Sequence, residues 1–188
     1  MSKNWGVLSN FLAKLRFGKA AKQVSSYAII CDVGCGVHGS FLHYVSGKIQ
    51  KGYGFDKKVE PAQNEKIKLE IIDDLEQGLP LADESVTDIV MLALIEHLYS
   101  PDFLLKECYR VLKPGGRAIF TVPSPQAKPL LEFLAYKLHI CSEVEVRDHK
   151  HYYSNAQLKG LFYNAGFADV KVGRFLFFLN QYGCAFKN

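Results

Sequence analysis

The sequence predicts an α/β fold, a mostly parallel sheet with helices on both faces. Short apolar runs alternate with helical patterns from residue 28 onward, the alternation that arises when parallel strands are joined by crossover helices. The first run, Ala28-Ile29-Ile30-Cys31, leads within two residues into the glycine-rich turn Gly34-Cys35-Gly36-Val37-His38-Gly39. A buried strand that ends in such a turn is how these sheets bring backbone close to a ligand. The length of 188 residues is enough for one domain with a full core, so residues 1–188 are expected to form a single unit.

Along the chain, residues 1–24 are expected to form a basic amphipathic helix. Val7, Leu8, Phe11, Leu12 and Leu15 recur at three- and four-residue steps, while Lys14, Lys19 and Lys22 fall elsewhere and Gly18 weakens the end. Such a helix either packs on the domain or lies on an anionic membrane or partner. Strands are expected at 28–33, 52–55, 68–72, 87–92, 117–122, 170–174 and 182–186. One helix should start with Ser100 as N-cap and Pro101 at its first helical position, followed by the stripe Leu104, Leu105, Cys108 and Val111. Another opens on the capping box Ser154-Asn155-Ala156-Gln157, continues through Leu158, Leu161 and Phe162, and stops at Gly166. The loop between the last two strands is too short for a helical crossover, so they should pair antiparallel.

Composition narrows the function. The charged fraction of 22% and hydrophobic fraction of 48% are those of an ordinary globular chain. The two most apolar regions, 130–141 and 175–186, are short or broken by Glu132, Lys137, Asn180 and Gln181, so no membrane span is expected. The N-terminus lacks a secretory pattern, and a cytoplasmic location is expected. The five cysteines, Cys31, Cys35, Cys108, Cys141 and Cys184, are scattered and form no metal-binding pair, so reduced thiols are expected. The net charge of +4 arises in the N-terminal arm, where residues 1–24 contain Lys3, Lys14, Arg16, Lys19 and Lys22 and no acid. The remainder is close to neutral, which argues against a nucleic-acid partner.

The glycine run alone fits a dinucleotide or a methyl donor, and Asp32 leans the choice. A carboxylate repels a pyrophosphate, whereas it attracts an ammonium or sulfonium. Asp32-Val33-Gly34-Cys35-Gly36 resembles motif I of the class I S-adenosylmethionine-dependent methyltransferases, most closely the type 11 small-molecule group. Further motifs follow in the family's order. Gly54-Phe55-Asp56 ends the second strand, Ile72-Asp73-Asp74-Leu75-Glu76-Gln77-Gly78-Leu79-Pro80-Leu81 follows the third, and Thr87-Asp88-Ile89-Val90 to Ile95-Glu96-His97-Leu98 spans the fourth. Arg110-Val111-Leu112-Lys113-Pro114-Gly115-Gly116 then turns into the fifth. One departure stands out: His38 occupies the place of the family's third glycine, and Gly39 follows one residue later.

The resemblance implies a Rossmann-like three-layer α/β/α sandwich of seven strands, order 3-2-1-4-5-7-6, with the last strand antiparallel. It implies S-adenosylmethionine as cofactor, with S-adenosylhomocysteine as product. The residues expected to hold it are Asp32, Gly34, Cys35, Gly36 and Gly39 around the methionine moiety, Asp56 at the ribose, Asp74 and Leu75 at the adenine, and Leu92 and Ala93 along the wall. Asp73 rivals Asp74, and Asp88 is assigned to folding.

Methyl transfer needs alignment above all, and a hydroxyl acceptor also needs a base. His97, His149 and His151 are the candidate bases. Some relatives hold a divalent cation with an E-x-x-E-H segment and a later histidine; here Ala93 replaces the first glutamate, so no metal is expected. The acceptor is expected to be a small molecule, a glycan or a lipid-linked intermediate. Its choice is assigned to the N-terminal arm, to residues 123–153 as a lid, and to residues 175–181. A chain that binds the cofactor without catalysis, as a regulator or partner, and a nicotinamide-dependent dehydrogenase are the alternatives.

Overall fold

The computed structural model describes residues 4–75, 78–137 and 143–188. The side chains of Val7 and Leu8, and residues Glu76, Gln77, Leu138 and Cys141, lie outside that description. Its strands are β1 (Ala28–Val33), β2 (Ile49–Asp56), β3 (Ala62–Gln63), β4 (Ile67–Ile71), β5 (Val86–Leu92), β6 (Leu112–Pro123), β7 (Ala168–Phe175) and β8 (Asn180–Phe186). They form one sheet in the order β3-β4-β2-β1-β5-β6-β8-β7. Pairings from β4 through β6 are parallel, while β8 runs antiparallel to both β6 and β7.

The expectation of seven strands is corrected to eight, by the edge strand β3. It is two exposed residues long and pairs antiparallel with β4; so short a segment carries no readable alternation. The other seven strands keep the expected order. β6 also starts at Leu112 rather than near Arg117, because the Lys113–Gly116 turn is absorbed into the strand.

Strand residues alternate between two apolar layers, as period-2 geometry requires. Cys31, Ile89, Met91 and Phe120 join α3 (Asp102–Val111) and α6 (Asn155–Asn164) through Leu104, Leu105, Cys108, Leu158 and Phe162. The Phe120 and Phe162 rings stack there with centroids 4.4 Å apart. Ile30, Val90, Ile119 and Cys184 face the other layer, with Ala20, Val24, Phe41 and Leu42. Ala20 belongs to α1 (Asn4–Ala21) and Phe41 to α2 (Ser40–Tyr44). Phe17 of α1 meets Phe41 edge-on at 5.3 Å, so the N-terminal helix packs on the sheet's second face.

Capping separates the two expected helix starts. Ser154 and Gln157 form the reciprocal capping box of α6, and Gly166 takes a left-handed φ of 102° just past its end. For α3 the expectation is corrected: Pro101 is the N-cap and gives no side-chain bond, while Ser100 Oγ lies 3.5 Å from the Asp102 carboxylate. The segment after β6 holds α4 (Ala127–Tyr136) and α5 (Glu143–Asp148). Asp88, assigned to folding, is buried and accepts bonds from the Ser25 N–H and hydroxyl at 2.6 and 2.9 Å.

Candidate active site

The chain runs outward from β1 through β2 to β4 on one side and through β5 and β6 on the other, so a crevice opens at the carboxyl ends of β1 and β5. A cleft of about 820 Å³ lies there. Its first wall includes Gly34, Gly36, Asp56, Asp73, Asp74, Leu75, Leu92 and Ala93.

Gly34 and Gly36 have left-handed φ values of 76° and 69°, and a Cβ on Gly36 would meet nothing within 4 Å. The turn therefore needs glycine for its conformation and presents bare backbone to open space. Asp56, at the end of β2, braces it: Oδ2 accepts the Gly36 N–H at 3.0 Å and Oδ1 accepts the Lys58 N–H at 2.8 Å.

Asp32 stands behind this turn, 2% exposed, and its Oδ2 has no hydrogen-bond partner. Burial first, and then the negative charge of Asp56, push its carboxyl up to about 7. Such a group is stabilised by a cation and further penalised by a pyrophosphate.

The other motif residues stand around this turn. Cys35 is buried, its thiol is pushed up to about 12 mainly by burial, and Sγ sits 3.5 Å from the Gly36 carbonyl. Gly39 caps α2 at φ 56°, and a Cβ there would stand 2.6 Å from Leu69 Cδ2. Neither Cys35, Gly39 nor Asp32 lines the cleft. His38 is outside the cleft lining, 68% exposed and 3.3 Å from Glu60. At the end of β5, Ala93 holds a left-handed φ of 55°, with its N–H bonded to Thr121 O at 2.9 Å. A non-glycine residue in that conformation is strained, and it borders the cleft.

The opposite wall is built by a strap after α5. The Glu96 carbonyl, in the 3-10 turn Ile95–His97, accepts the N–H groups of Lys150 and His151 at 2.8 and 3.2 Å. This pins His149 beside His97, with ring centroids 4.8 Å apart. His97 Nδ1 lies 3.0 Å from Asp148 Oδ2, and His149 Nδ1 lies 2.8 Å from the Tyr152 hydroxyl. Lys150 also holds Asp148, at 2.9 Å, and this hydrogen bond first of all keeps the Asp148 carboxyl below the usual range. Burial and the neighbouring His97 lower His149 to about 4, so its ring is neutral near pH 7.

Glu96 is 1% exposed with Oε2 unpartnered, and burial pushes it up to about 8. One ligand atom each from Glu96, His97 and His149 lie within 4.8 Å of one another. The structure thus gathers three metal-capable groups where the missing glutamate at Ala93 had argued against any. His151 stands apart: it is exposed, lies outside the cleft lining, and reaches the Tyr99 carbonyl at 3.4 Å. The pairing of Asp148 with His97 carried no sequence signal, since the two are 51 residues apart.

Residues 8–172 match a family model described as a methyltransferase domain. The chain is 33% identical over 100 residues to a Mycolicibacterium smegmatis protein named as a probable S-adenosylmethionine-dependent methyltransferase, covering 49% of this chain and 38% of that one. It is 30% identical over 113 residues to a ubiquinone/menaquinone biosynthesis C-methyltransferase of Desulfotalea psychrophila, covering 52% of this chain and 46% of that one. The matches thus span less than half of each relative. A solved S-adenosylmethionine-dependent methyltransferase of Thermotoga maritima superposes with a TM-score of 0.70 at 21% identity, covering 98% of this chain and 100% of that one; this likeness establishes the fold. No described helix is long and apolar enough to cross a membrane.

Proposed function

Because this chain belongs to the class I S-adenosylmethionine-dependent methyltransferases, we propose that its cleft methylates a hydroxyl group of a small-molecule, glycan or lipid-linked acceptor. The cofactor, S-adenosylmethionine, supplies an activated methyl group with its own leaving group. The residues present fit it: Gly34 and Gly36 present bare backbone to the cleft, and the buried, unpartnered Asp32 carboxyl behind them favours a cationic methionine end through its charge rather than by lining the cleft. Asp56 would take the ribose hydroxyls from the cleft wall, with Asp74 and the Leu75 backbone at the adenine.

The acceptor side is the chain's own chemistry. Asp148, anionic and 3.0 Å from His97 Nδ1, fixes the tautomer that carries hydrogen on Nδ1. The Nε2 lone pair of His97 is then left to take the acceptor's hydroxyl proton as its oxygen attacks. Leu12, Leu98, Leu131 and Val146 line the same cleft and exclude water around the reacting groups. The observation that carries this reading is the oriented His97–Asp148 pair inside the cleft.

The test follows methyl-labelled donor into cell-extract fractions and identifies the product bond. The expected product is an ether, and His97→Gln slows its formation about 10²- to 10⁴-fold while S-adenosylhomocysteine binds as before. A variant as fast as the native chain would remove His97 from the chemistry. The unpartnered Glu96 Oε2 supports a second reading, in which Glu96, His97 and His149 hold a divalent cation that lowers the hydroxyl pKa in place of a base. Transfer abolished by a chelator and restored by one divalent ion selects that reading.

A further inference from the structure

The tip of the β7–β8 hairpin breaks two local rules together. Leu176, Phe177 and Phe178 have left-handed φ values of 53°, 51° and 69°, positions that turns ordinarily give to glycine or asparagine. The aromatic rings gain almost no burial in return: Phe177 is 94% exposed and Phe178 65%. Conflicts of this kind between sequence and local structure concentrate at functional sites. The tip is also held firmly. Leu179 N–H bonds Leu176 O at 3.0 Å, Ser124 Oγ donates to Phe178 O at 2.7 Å, and Ser124 N–H donates to Leu179 O at 3.0 Å.

We propose that this tip, with the exposed face of α4 beside it, docks the protein on an anionic lipid surface. Ser124 ties the tip to the start of α4 through its own carbonyl, which accepts the Ala127 N–H. On α4, Leu130 and Phe133 are 40% and 52% exposed; with Lys137 they follow at three- and four-residue steps and share one face. Charge matches an anionic partner. Arg174 is the sole charged residue between 173 and 186, Lys128 and Lys137 bracket α4, and Glu132 is the one acid within it.

Size decides between a bilayer and a second copy of the chain. The two tip rings offer about 150–250 Å² each, and the half-exposed Phe133 and Leu130 add less than that again, still short of the roughly 800 Å² per partner of a stable protein interface. A projecting tip of that area suits insertion into lipid. Pro123, Leu131 and Asn180, at the bases of these same elements, line the cleft, so a docked surface meets the mouth through which a lipid-borne acceptor enters. The inference adds to the methyl-transfer reading and stands on separate residues.

Co-sedimentation of the full chain with vesicles tests it, comparing phosphatidylcholine alone with phosphatidylcholine plus phosphatidylglycerol. The chain should bind the anionic vesicles, less at high salt. The Phe177→Ser/Phe178→Ser double variant should lose about tenfold in partitioning per ring, and Lys128→Glu/Lys137→Glu should weaken it independently. Both variants should keep the thermal shift with S-adenosylhomocysteine. A native chain that stays in solution with anionic vesicles overturns the proposal, as does a double variant that binds equally well. A dimer that the double variant abolishes, without vesicle binding, assigns the tip to a second copy instead. Absence of the thermal shift from the native chain counts against the cofactor reading alone and leaves the vesicle result standing.

Discussion

Gly39 earns its place by packing. Its left-handed φ of 56° strains any other residue, and a Cβ, built 2.6 Å from Leu69 Cδ2, would push the end of that side chain aside. Gly39→Ala is therefore expected to cost about 1–3 kcal/mol, measured by urea unfolding, with its main effect on stability. His38, where the family's third glycine would stand, belongs to the same geometry. The helix-packing glycine sits one residue later, and His38 turns outward to Glu60. A motif written in letters shows that a glycine is displaced by one position. It does not show which neighbour that glycine must clear, because Leu69 lies on another strand. Asp32 was legible for a different reason: its charge alone discriminates between ligands of opposite sign. What the letters left out was its isolation, an oxygen at 2% residue exposure with no partner.

At the scale of elements, legibility followed whether the signal was local. The capping box of α6 closes within four residues, and Ser154 accepts the Gln157 N–H while the Gln157 side chain bonds back to Ser154 N–H. Ser154→Ala should lower stability by about 1 kcal/mol, seen as a reduced urea midpoint at an unchanged slope. The start of α3 misled because Ser-Pro also reads as a cap, and only the backbone shows that Pro101 takes the position. β3 was invisible since its two residues pair by backbone alone. The acceptor wall was partly visible. Glu96, His97 and His149 stood out as residue types, but the strap that joins them rests on the Glu96 carbonyl bonding Lys150 and His151. Main-chain bonds of that span leave no trace in composition.

For the molecule as a whole, buried acids set the pH dependence. Asp32 titrates at about 7 and Glu96 at about 8 in the folded chain, while both titrate near 4 when unfolded. Between these values the folded state holds more protons than the unfolded one, so stability falls as pH rises. His149 acts in the opposite sense only between about 4 and 6.5, where the unfolded ring binds the extra proton. From pH 6.5 to 8 the carboxyls act without it. The ligand-free chain should therefore lose stability across that window in urea titrations, and Asp32→Asn with Glu96→Gln should flatten the slope. A flat native profile would mean that water or counter-ions relieve both acids.

Asp32 and Asp56 define the central claim, that the turn from Gly34 to Gly39 cradles a methyl donor. Calorimetric titration of S-adenosylhomocysteine into the full chain at pH 8 tests it most directly, with Asp56→Ala and NAD as comparisons. The account predicts one-site binding that Asp56→Ala weakens about ten- to hundredfold, as loss of a charged hydrogen-bond acceptor should. Affinity in the native chain should also fall as pH drops through 7 and Asp32 takes up a proton. No binding of S-adenosylhomocysteine, or binding of NAD in its place, would contradict the account.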